Sequence, residues 1–259
     1  MLADFGSDKL LPRLTERYPD FSIDDGYAVA HRIRQLRQAK GEIAVGRKIG
    51  GTNPDWWAML GIAGPVWNFM YDTRVIDFAS CEGDFTLGAF RQPRIEPELI
   101  LHLSATPDPK MDESDLLGCI DKVAHGYEFV HCPFSNWTVK AADSSAAYGF
   151  HQALLVGPWH DITADRAEWG RMLKTFTVTL TSSSGEERRG TGAIVLGSPV
   201  LALRAMVQDV AAHPARLPLT AGEIVTTGTL TELMPVTPGG TWSTIITGAP
   251  LEGLTVHIR

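Results

Sequence analysis

The two glutamates within residues 94–103 have the type and the spacing that could hold a metal ion. This segment reads RIEPELILHL, and its apolar, partly β-branched residues predict a β-strand. Side chains at positions i and i+2 of a strand point to one face, so Glu96 and Glu98 are expected side by side. Two adjacent carboxylates need either a cation between them or a proton on one of them. Because Mg²⁺ and Mn²⁺ prefer oxygen ligands, the pair indicates a divalent-metal site, with a solvated strand face as the alternative.

Pro97 lies between these two glutamates and points to the opposite face of the predicted strand. A proline has no N–H to donate to a β-ladder, and it is found mostly on edge strands or at irregular positions. We therefore expect this strand to lie at a sheet edge or to be interrupted at Pro97.

A third carboxylate follows 30 residues after Glu98, within the strand-like segment HGYEFV at residues 125–130. Glu128 has aromatic and aliphatic neighbours there, and a glutamate in such a setting is rarely unpaired. A strand–helix–strand connection covers the separation easily. Glu96, Glu98 and Glu128 are therefore the predicted metal ligands.

Lys48 lies in a strand-like segment, residues 43–53 (IAVGRKIGGTN), that breaks at two glycines. Glycines allow a ligand to approach the backbone closely, so Lys48 is a candidate active-site residue; an edge-strand lysine is the alternative. The spacing fits neither the GxGxxG nor the GxxxxGK[ST] pattern, which excludes a dinucleotide or P-loop site of those types.

Residues 141–157 (AADSSAAYGFHQALLVG) place small polar side chains before Gly149 and then a strand. Asp143, Ser144 and Ser145 could donate and accept hydrogen bonds at a pocket wall. The alternative interpretation is an ordinary turn.

Composition limits the class of protein. The chain has 259 residues and a formal net charge of −7 without basic runs, so we expect no nucleic-acid partner. Its three cysteines lack CxxC spacing and are expected to be free thiols in a reducing compartment. The N-terminus lacks the apolar region of a signal peptide, and no later run approaches a membrane span. We predict a cytoplasmic protein without a membrane partner.

The remaining pattern predicts the elements that must position these residues. A helix is expected over residues 27–40, after a capping Ser22 with carboxylates in the first turn. The second half is β-rich with one long helix over residues 198–212. The further predicted strands cover residues 176–181, 224–229, 242–247 and 254–258.

Taken together, the motifs resemble the fumarylacetoacetate hydrolase superfamily, in its 2-keto-4-pentenoate hydratase and 4-oxalocrotonate decarboxylase branch. The resemblance covers roughly residues 25 to 259, and the order and spacing of the motifs make the set fairly specific. The matching motifs are GRKIGGTN at 46–53, IEPELILHL at 95–103, YEFV at 127–130, ADSSAAYG at 142–149, VLGSPVLAL at 195–203 and AGEIVTTGTLTELMPVTPG at 221–239.

The resemblance implies a fold and a set of site residues. The fold is α+β, a mixed, strongly curved β-sandwich or roll of the fumarylacetoacetate hydrolase C-terminal type with flanking helices. It divides the chain into an N-terminal helical segment, 1–45, packed on the core, and a catalytic domain, 46–259, in what we expect to be a homo-oligomer. The implied metal ligands are Glu96, Glu98 and Glu128, with Mg²⁺ or Mn²⁺ as the cofactor. The implied catalytic residues are Lys48, Asp72, Asp143 and Ser145.

Some segments depart from the family pattern. This chain has Asp-Ser-Ser-Ala at residues 143–146 where family hydratases often have Asp-Asn-Ala-Ser, and Leu-Gly-Ser-Pro at 196–199 where they often have Leu-Gly-Asn-Pro. The aromatic segment 53–72, which carries Trp56, Trp57 and Trp67, is consistent with a pocket rim or a subunit interface. These departures suggest a bulkier or different substrate side group than the simplest pentadienoate.

The predicted function is a divalent-metal-dependent hydratase. It would add water to a small 2-hydroxy-2,4-dienoate (2-keto-4-pentenoate-like) to give a 4-hydroxy-2-oxo acid, as in aromatic meta-cleavage catabolism. The first alternative is a decarboxylase of a 4-oxalocrotonate-like diacid, for which Arg47 and Arg74 are available as extra cations.

Two further alternatives remain. An acylpyruvate C–C hydrolase would need a His-x-x-Glu dyad, and the one in this sequence joins His125 to Glu128, which is already assigned to the metal. A non-catalytic binding protein on the same fold is the other. The remaining histidines considered, His31, His102, His151 and His213, lack metal-type spacing and are predicted to be structural or surface residues.

Overall fold

The computed structural model describes residues 9–213 and 215–259, without the side chains of Trp56, Met59 and Leu60. The α-helices are α1 (Leu14–Arg17), α2 (Ile23–Gln38), α3 (Trp57–Leu60), α4 (Glu113–Gly118), α5 (Ala141–Ala146), α6 (Arg166–Thr175) and α7 (Pro199–Ala212). The strands are β1 (Ala44–Gly50), β2 (Val66–Tyr71), β3 (Val75–Asp77), β4 (Asp84–Phe85), β5 (Arg94–Leu103), β6 (Ile120–Val130), β7 (His151–Val156), β8 (His160–Asp161), β9 (Thr177–Ser182), β10 (Glu187–Thr191), β11 (Ile224–Thr229), β12 (Met234–Pro235), β13 (Thr241–Thr247) and β14 (Thr255–Ile258).

Helix α2 begins where its capping residues predict. The Ser22 side chain accepts a hydrogen bond from the Asp25 amide, and the Asp25 carboxylate accepts one from the Ser22 amide. The Tyr27 ring stacks on Trp67 of β2 with 4.8 Å between the ring centroids, so this helix packs on the sheet. Of the predicted segment 1–45, residues 1–8 lie outside the described part of the chain. Its boundary falls within β1 and stays a prediction.

A large mixed sheet forms the body of the molecule. Its strand order is β2-β1-β11-β5-β6-β7-β3, with β12 pairing β5 and β8 pairing β6. The two longest strands, β5 and β6, are antiparallel neighbours near its centre, joined through α4. The sheet curls strongly, as predicted for this fold.

The expectation that Pro97 marks a sheet edge is wrong. Strand β5 is central, with Pro97 opposite Tyr127 of β6 and with β11 on its other side. The Pro97 carbonyl accepts from the Leu230 amide at 2.8 Å, so the side of this residue that lacks an N–H faces the chain that follows β11. The register between β5 and β11 shifts here, between Thr226 and Thr229. The irregular ladder accommodates the missing donor without ending the strand.

A smaller sheet packs on one face of the large sheet and completes the sandwich. Its order is β10-β9-β13-β14-β4. Ile95 of β5 and Phe129 of β6 share an apolar cluster with Leu180, Trp242 and Val256 of this second sheet. Further along the same face, leucines of β5 join a larger core with helices α4, α6 and α7; they are Leu99, Leu101 and Leu103. The predicted curved β-sandwich with flanking helices is confirmed.

Two expectations from composition have different outcomes. The three cysteines Cys81, Cys119 and Cys132 are free thiols, as predicted. The segment Gly192–Ala212, in contrast, is apolar and long enough to cross a membrane by length and composition alone. Half of its most apolar window is buried, and a core helix of a soluble protein passes the same test, so it is weak evidence for a membrane span.

Candidate metal centre

The three predicted metal ligands meet on one face of the large sheet, which we call the inner face. Glu96 of β5 lies directly opposite Glu128 of β6, and Glu98 is the next residue of β5 on the same side. One carboxylate oxygen from each residue lies within 4.8 Å of the others. All three side chains are buried, and Glu98 and Glu128 are 0% exposed.

Several of these oxygens have no partner among the described residues. Both oxygens of Glu98 and Oε2 of Glu128 are buried without a hydrogen bond. Burial raises the pKa of Glu96 to about 7. Burial and the two neighbouring carboxylates raise the pKa of Glu98 well above its usual value. A compact set of hard oxygen donors without partners fits Mg²⁺ or Mn²⁺, as predicted.

Lys48 extends from β1 toward this cluster. Its Nζ lies 3.5 Å from Oε1 of Glu128 and donates to the Gly149 carbonyl at 3.1 Å. Burial lowers the pKa of the ammonium, but attraction to Glu128, Glu96 and Glu98 outweighs it and raises the pKa above its usual value. Strand β1 lies between β2 and β11, so the edge-strand alternative for Lys48 is wrong.

The carbonyl that accepts from Lys48 belongs to a strained turn before β7. Tyr148, Gly149 and Phe150 have φ values of 60°, 58° and 66°, so two bulky side chains adopt the left-handed region. A Cβ on Gly149 would lie 3.1 Å from Cδ of Lys48 and 3.2 Å from Cβ of Asn68. The glycine therefore allows the turn to close on the lysine.

His151 belongs to this cluster although the sequence did not indicate it. Its Nδ1 lies 2.8 Å from Oε1 of Glu128, and a carboxylate oxygen accepts, so Nδ1 carries the proton. The ring is buried, and Nε2 has no partner among the described residues. No sequence spacing could have revealed the contact, because it depends on how β7 pairs with β6, where the register shifts between Phe129 and Val130.

Comparisons with known proteins agree with this geometry. No family model matches the chain. The chain is 26% identical over 243 residues to a 2-hydroxyhexa-2,4-dienoate hydratase of Comamonas testosteroni, which covers 93% of this chain and 89% of that protein. It is also 26% identical over 231 residues to a 4-oxalocrotonate decarboxylase of Pseudomonas sp. (strain CF600), which covers 88% of this chain and 83% of that protein.

Two solved structures show the same fold. The 4-oxalocrotonate decarboxylase from Pseudomonas putida G7, complexed with magnesium and adipate, has a TM-score of 0.88 at 22% identity and covers 100% of this chain and 94% of that chain. The fumarylpyruvate hydrolase from Pseudomonas aeruginosa, in complex with Mn²⁺ and pyruvate, has a TM-score of 0.54 at 14% identity, with 82% and 88% covered. The chain therefore has the fold of fumarylacetoacetate hydrolase family proteins. Its curated relatives are hydratases and decarboxylases, the branch that the motifs indicated.

Asp143 and Ser145, the predicted polar wall of the site, lie on α5. Asp143 is buried, and its two oxygens accept from the Thr15 amide at 3.0 Å and the Thr15 hydroxyl at 2.7 Å. Ser145 is buried, and its carbonyl accepts from Nδ2 of Asn68 at 2.7 Å. These contacts fix the helix against its neighbours, and the catalytic role of both residues stays a prediction.

Asp72 lies away from the carboxylate cluster, whereas Asn68, which the sequence reading missed, lies beside it. Asn68 pairs with Lys48 across β1 and β2 and is buried. Asp72 is four residues further, about 13 Å along an extended chain. It is exposed, and its Oδ1 accepts from the amides of Ile43 and Thr73. No contact recorded for the described residues joins Asp72 to the cluster.

Three other predicted features are placed elsewhere in the superfamily fold. Arg47 points to the face opposite Lys48 and pairs with Glu223 at 2.9 Å. Trp67 is buried in β2 against Tyr27, so it forms core rather than a pocket rim; the side chain of Trp56 lies outside the described residues. Arg74, in the turn after β2, is half-buried.

Proposed function

We propose that this protein is a divalent-metal-dependent lyase that adds water to a 2-hydroxy-2,4-dienoate and gives a 4-hydroxy-2-oxo acid. The observation that carries this proposal is the cluster of Glu96, Glu98 and Glu128, whose buried oxygens lack partners beside the ammonium of Lys48. A metal ion held by the carboxylates and the nearby ammonium could both stabilise negative charge on the oxygens of a 2-oxo or 2-hydroxy acid.

In this proposal the three glutamates hold one Mg²⁺ or Mn²⁺ ion. When bound, the ion supplies Lewis-acid stabilisation of the negative charge that develops at the substrate C2 oxygen. Within the protein, His151 and Lys48 both contact Oε1 of Glu128, which leaves its Oε2 as the atom without a protein partner. The two contacts thus orient the Glu128 carboxylate toward the other two glutamates.

Lys48 is proposed to bind the substrate anion and to hold a proton close to it. An ammonium has three N–H donors. Two of them are directed at the Gly149 carbonyl and at Glu128, and no third acceptor is recorded among the described residues. The remaining N–H is available to a substrate oxygen. Asn68, anchored on the Ser145 carbonyl, limits the space on the β2 side of the lysine.

A decarboxylase of a 4-oxalocrotonate-like diacid is the second candidate. The chain is as similar to a 4-oxalocrotonate decarboxylase as to a 2-hydroxyhexa-2,4-dienoate hydratase, at 26% identity in both cases. The same metal and lysine serve either reaction, because both develop negative charge on the same oxygen. The difference between them lies in how the far end of the substrate is bound.

The hydrolase alternative has less support. His125 and Glu128 are three residues apart on β6, so their side chains point to opposite faces. The His125 ring instead contacts the Glu98 carbonyl at 3.0 Å and the Thr244 hydroxyl at 2.8 Å. A binding protein without catalysis would retain the fold but have no need of the unpartnered carboxylates.

We also propose a cytoplasmic homo-oligomer with a small dienoic acid as its partner.

An ultraviolet assay tests the proposed function. Wild type and Glu98→Ala are each given 2-hydroxypenta-2,4-dienoate and 2-oxohex-3-enedioate, with Mg²⁺, with Mn²⁺ and with a chelator. Metal-dependent loss of the dienoate absorbance that disappears in the variant supports the hydratase. Metal-dependent release of CO₂ from the diacid makes the protein a decarboxylase. Activity that survives both chelation and the substitution refutes the metal-dependent proposal.

A further inference from the structure

Arg94 begins strand β5 on the inner face, in line with two of the proposed metal ligands. Residues 94, 96 and 98 alternate with apolar residues that face the second sheet, so the three side chains share one side of the strand. Arg94 pairs with Val130 of β6, two residues beyond Glu128, which places it at the end of the carboxylate cluster. It is partly exposed, whereas Glu96 and Glu98 are buried.

The Arg94 guanidinium has an aromatic contact but no recorded acceptor. Its carbon lies 4.6 Å from the centroid of the Trp137 ring, which is cation–π geometry. Among the described residues, no hydrogen bond or ion pair of this side chain is recorded, although a guanidinium carries five N–H donors. The ring covers one planar face and leaves the donating edge for another molecule.

The segment that holds Trp137 is strained and fixed by hydrogen bonds. Asn136 and Trp137 have φ values of 57° and 54°, and Gln92 has 48°, all in the left-handed region. The Asn136 amide donates to Oε1 of Gln92 at 3.0 Å, and the indole Nε1 of Trp137 donates to the Gln92 carbonyl at 3.1 Å. Trp137 also packs edge-on against Phe150, in the turn that provides the acceptor for Lys48, with centroids 5.4 Å apart.

Two other arginines near the sheet, Arg47 and Arg37, have protein acceptors. Arg47 donates to Glu223 and to the carbonyls of Leu217 and Pro218. Arg37 pairs with Glu42. Arg94 differs from these two arginines. It lies on the same face of the sheet as the metal cluster, and its guanidinium contacts the Trp137 ring through one planar face. Its N–H groups have no recorded acceptor among the described residues.

We infer that Arg94, supported by Trp137, binds a second carboxylate at the far end of the substrate, so that the substrate is a dioic acid. This inference rests on the metal cluster of the proposed function, where the first carboxylate end lies, and of the two candidate reactions it favours the decarboxylase of a diacid. Same-face residues are about 7 Å apart along a strand. The two ends of an extended six-carbon chain are separated by about 6 Å, since each bond advances the chain by about 1.3 Å. The edge of a guanidinium binds a carboxylate through two parallel hydrogen bonds.

Steady-state kinetics on a matched substrate pair tests the inference. The monoacid is 2-hydroxypenta-2,4-dienoate, and the diacid is 2-oxohex-3-enedioate. Wild type is expected to have a kcat/KM for the diacid at least about tenfold higher than for the monoacid. In Arg94→Gln this ratio falls about 10- to 100-fold, as expected for a lost charged hydrogen bond, mainly through KM for the diacid. Arg94→Lys recovers part of the ratio, because a lysine supplies charge without the bidentate edge.

A remote arginine provides the control. Arg188 on β10 is partly exposed and pairs with Glu232, so Arg188→Gln should leave the ratio unchanged. Equal losses on both substrates in Arg94→Gln, or a wild type without preference for the diacid, would overturn the inference. Thermal unfolding of each variant excludes a general loss of folded protein.

Calorimetry separates this inference from the proposed function. Adipate and hexanoate, a diacid and a monoacid that cannot react, are titrated into wild type and Arg94→Gln in the presence of Mg²⁺. Tighter binding of adipate that is lost in the variant supports the Arg94 site even if neither substrate is turned over, in which case the proposed function alone fails. Equal binding of the two acids to wild type would refute the Arg94 site.

Discussion

The inner face of the large sheet has two ends, and the same strands build both. At one end β5 and β6 present Glu96, Glu98 and Glu128, which are buried with several oxygens unpartnered. Next to these carboxylates, the same strands together with β2, β7 and β11 present apolar side chains that pack on one another. These residues, which we call the apolar end, are Met70, Ile100, Ala124, Leu154, Val156 and Ile224.

The contrast separates residues that stabilise the fold from residues that serve a ligand. At the apolar end, burial removes hydrocarbon from water, which stabilises the folded state. At the metal end, burial removes carboxylates from water without supplying hydrogen bonds, which costs stability unless a cation binds. Beyond the apolar end, a cavity of about 990 Å³ is lined by residues that include Asp72, His102 and Lys122. Substitutions at the two ends should therefore change different properties.

The largest expected effect is on metal affinity at the metal end. Glu98→Gln removes one charged donor that has no protein partner, so the affinity for Mn²⁺ should fall on the order of 10³-fold, about 4 kcal/mol. The unfolding temperature without metal should not fall, because the Glu98 carboxyl group has no hydrogen bond to lose and its raised pKa already disfavours the charged form. Calorimetric titration and thermal unfolding with and without Mn²⁺ measure both. A variant that still gains thermal stability from Mn²⁺ as wild type does would contradict the assignment of Glu98 as a ligand.

Ile100→Ala, two residues further along β5, should change stability rather than metal binding. Ile100 is 0% exposed, and truncation of a buried isoleucine typically costs 2–5 kcal/mol, so we expect a loss of about 3 kcal/mol. Urea unfolding measures the loss, and the Mn²⁺ affinity of the folded variant should stay within about twofold of wild type. A large drop in metal affinity without a loss of stability would show that the two ends are not separable.

His151 should have a smaller effect on metal binding than the ligands themselves. Residues that orient a metal ligand typically contribute 10- to 100-fold in affinity, so His151→Ala should weaken Mn²⁺ binding about tenfold. His151→Asn keeps a donor near the position of Nδ1 and should recover part of this loss, because Nδ1 is the atom that contacts Glu128. Calorimetry on both variants tests the point. Equal losses would indicate that His151 acts through packing alone.

Asp72→Asn should have the smallest effect. Asp72 is exposed and accepts from two backbone amides, and an asparagine oxygen can accept from the same amides. We expect kcat/KM on the preferred substrate to stay within about twofold of wild type. A tenfold or greater loss of kcat, with the unfolding temperature unchanged, would support Asp72 as a catalytic acid or base and would require the protein to bring it to the metal end.

Asp72 and Asn68 lie four residues apart, and only Asn68, which the motifs did not indicate, lies next to Lys48. The motifs placed an acidic site residue after the aromatic segment, and Asp72 was the acidic residue available there. Four positions in an extended chain amount to about 13 Å, so Asp72 lies well away from Lys48, and its catalytic role stays a prediction. The motifs assigned Lys48 to the site, and the structure places its Nζ 3.5 Å from Oε1 of Glu128.

The contacts of His151 and Arg94 could not be predicted from the sequence for a second reason. Arg94 was visible in the sequence two residues before Glu96, but its lack of a recorded acceptor and its contact with Trp137 arise from a turn more than 40 residues away. His151 contacts Glu128 through a register shift in the β6–β7 ladder, which the sequence pattern does not encode locally. Both contacts depend on pairing between distant segments.

Local sequence was enough for features that depend on neighbouring residues. It showed that Glu96 and Glu98 share a face and that Ser22 and Asp25 cap α2, because strand alternation and capping act within a few positions. It also predicted strands such as 94–103 and 224–229, but not β2. The folded sheet was needed to show that Glu96 faces Glu128, that the Pro97 strand is central, and which cations reach the inner face. These are matters of register between strands far apart in the chain, and register is set by the packing of the whole sheet.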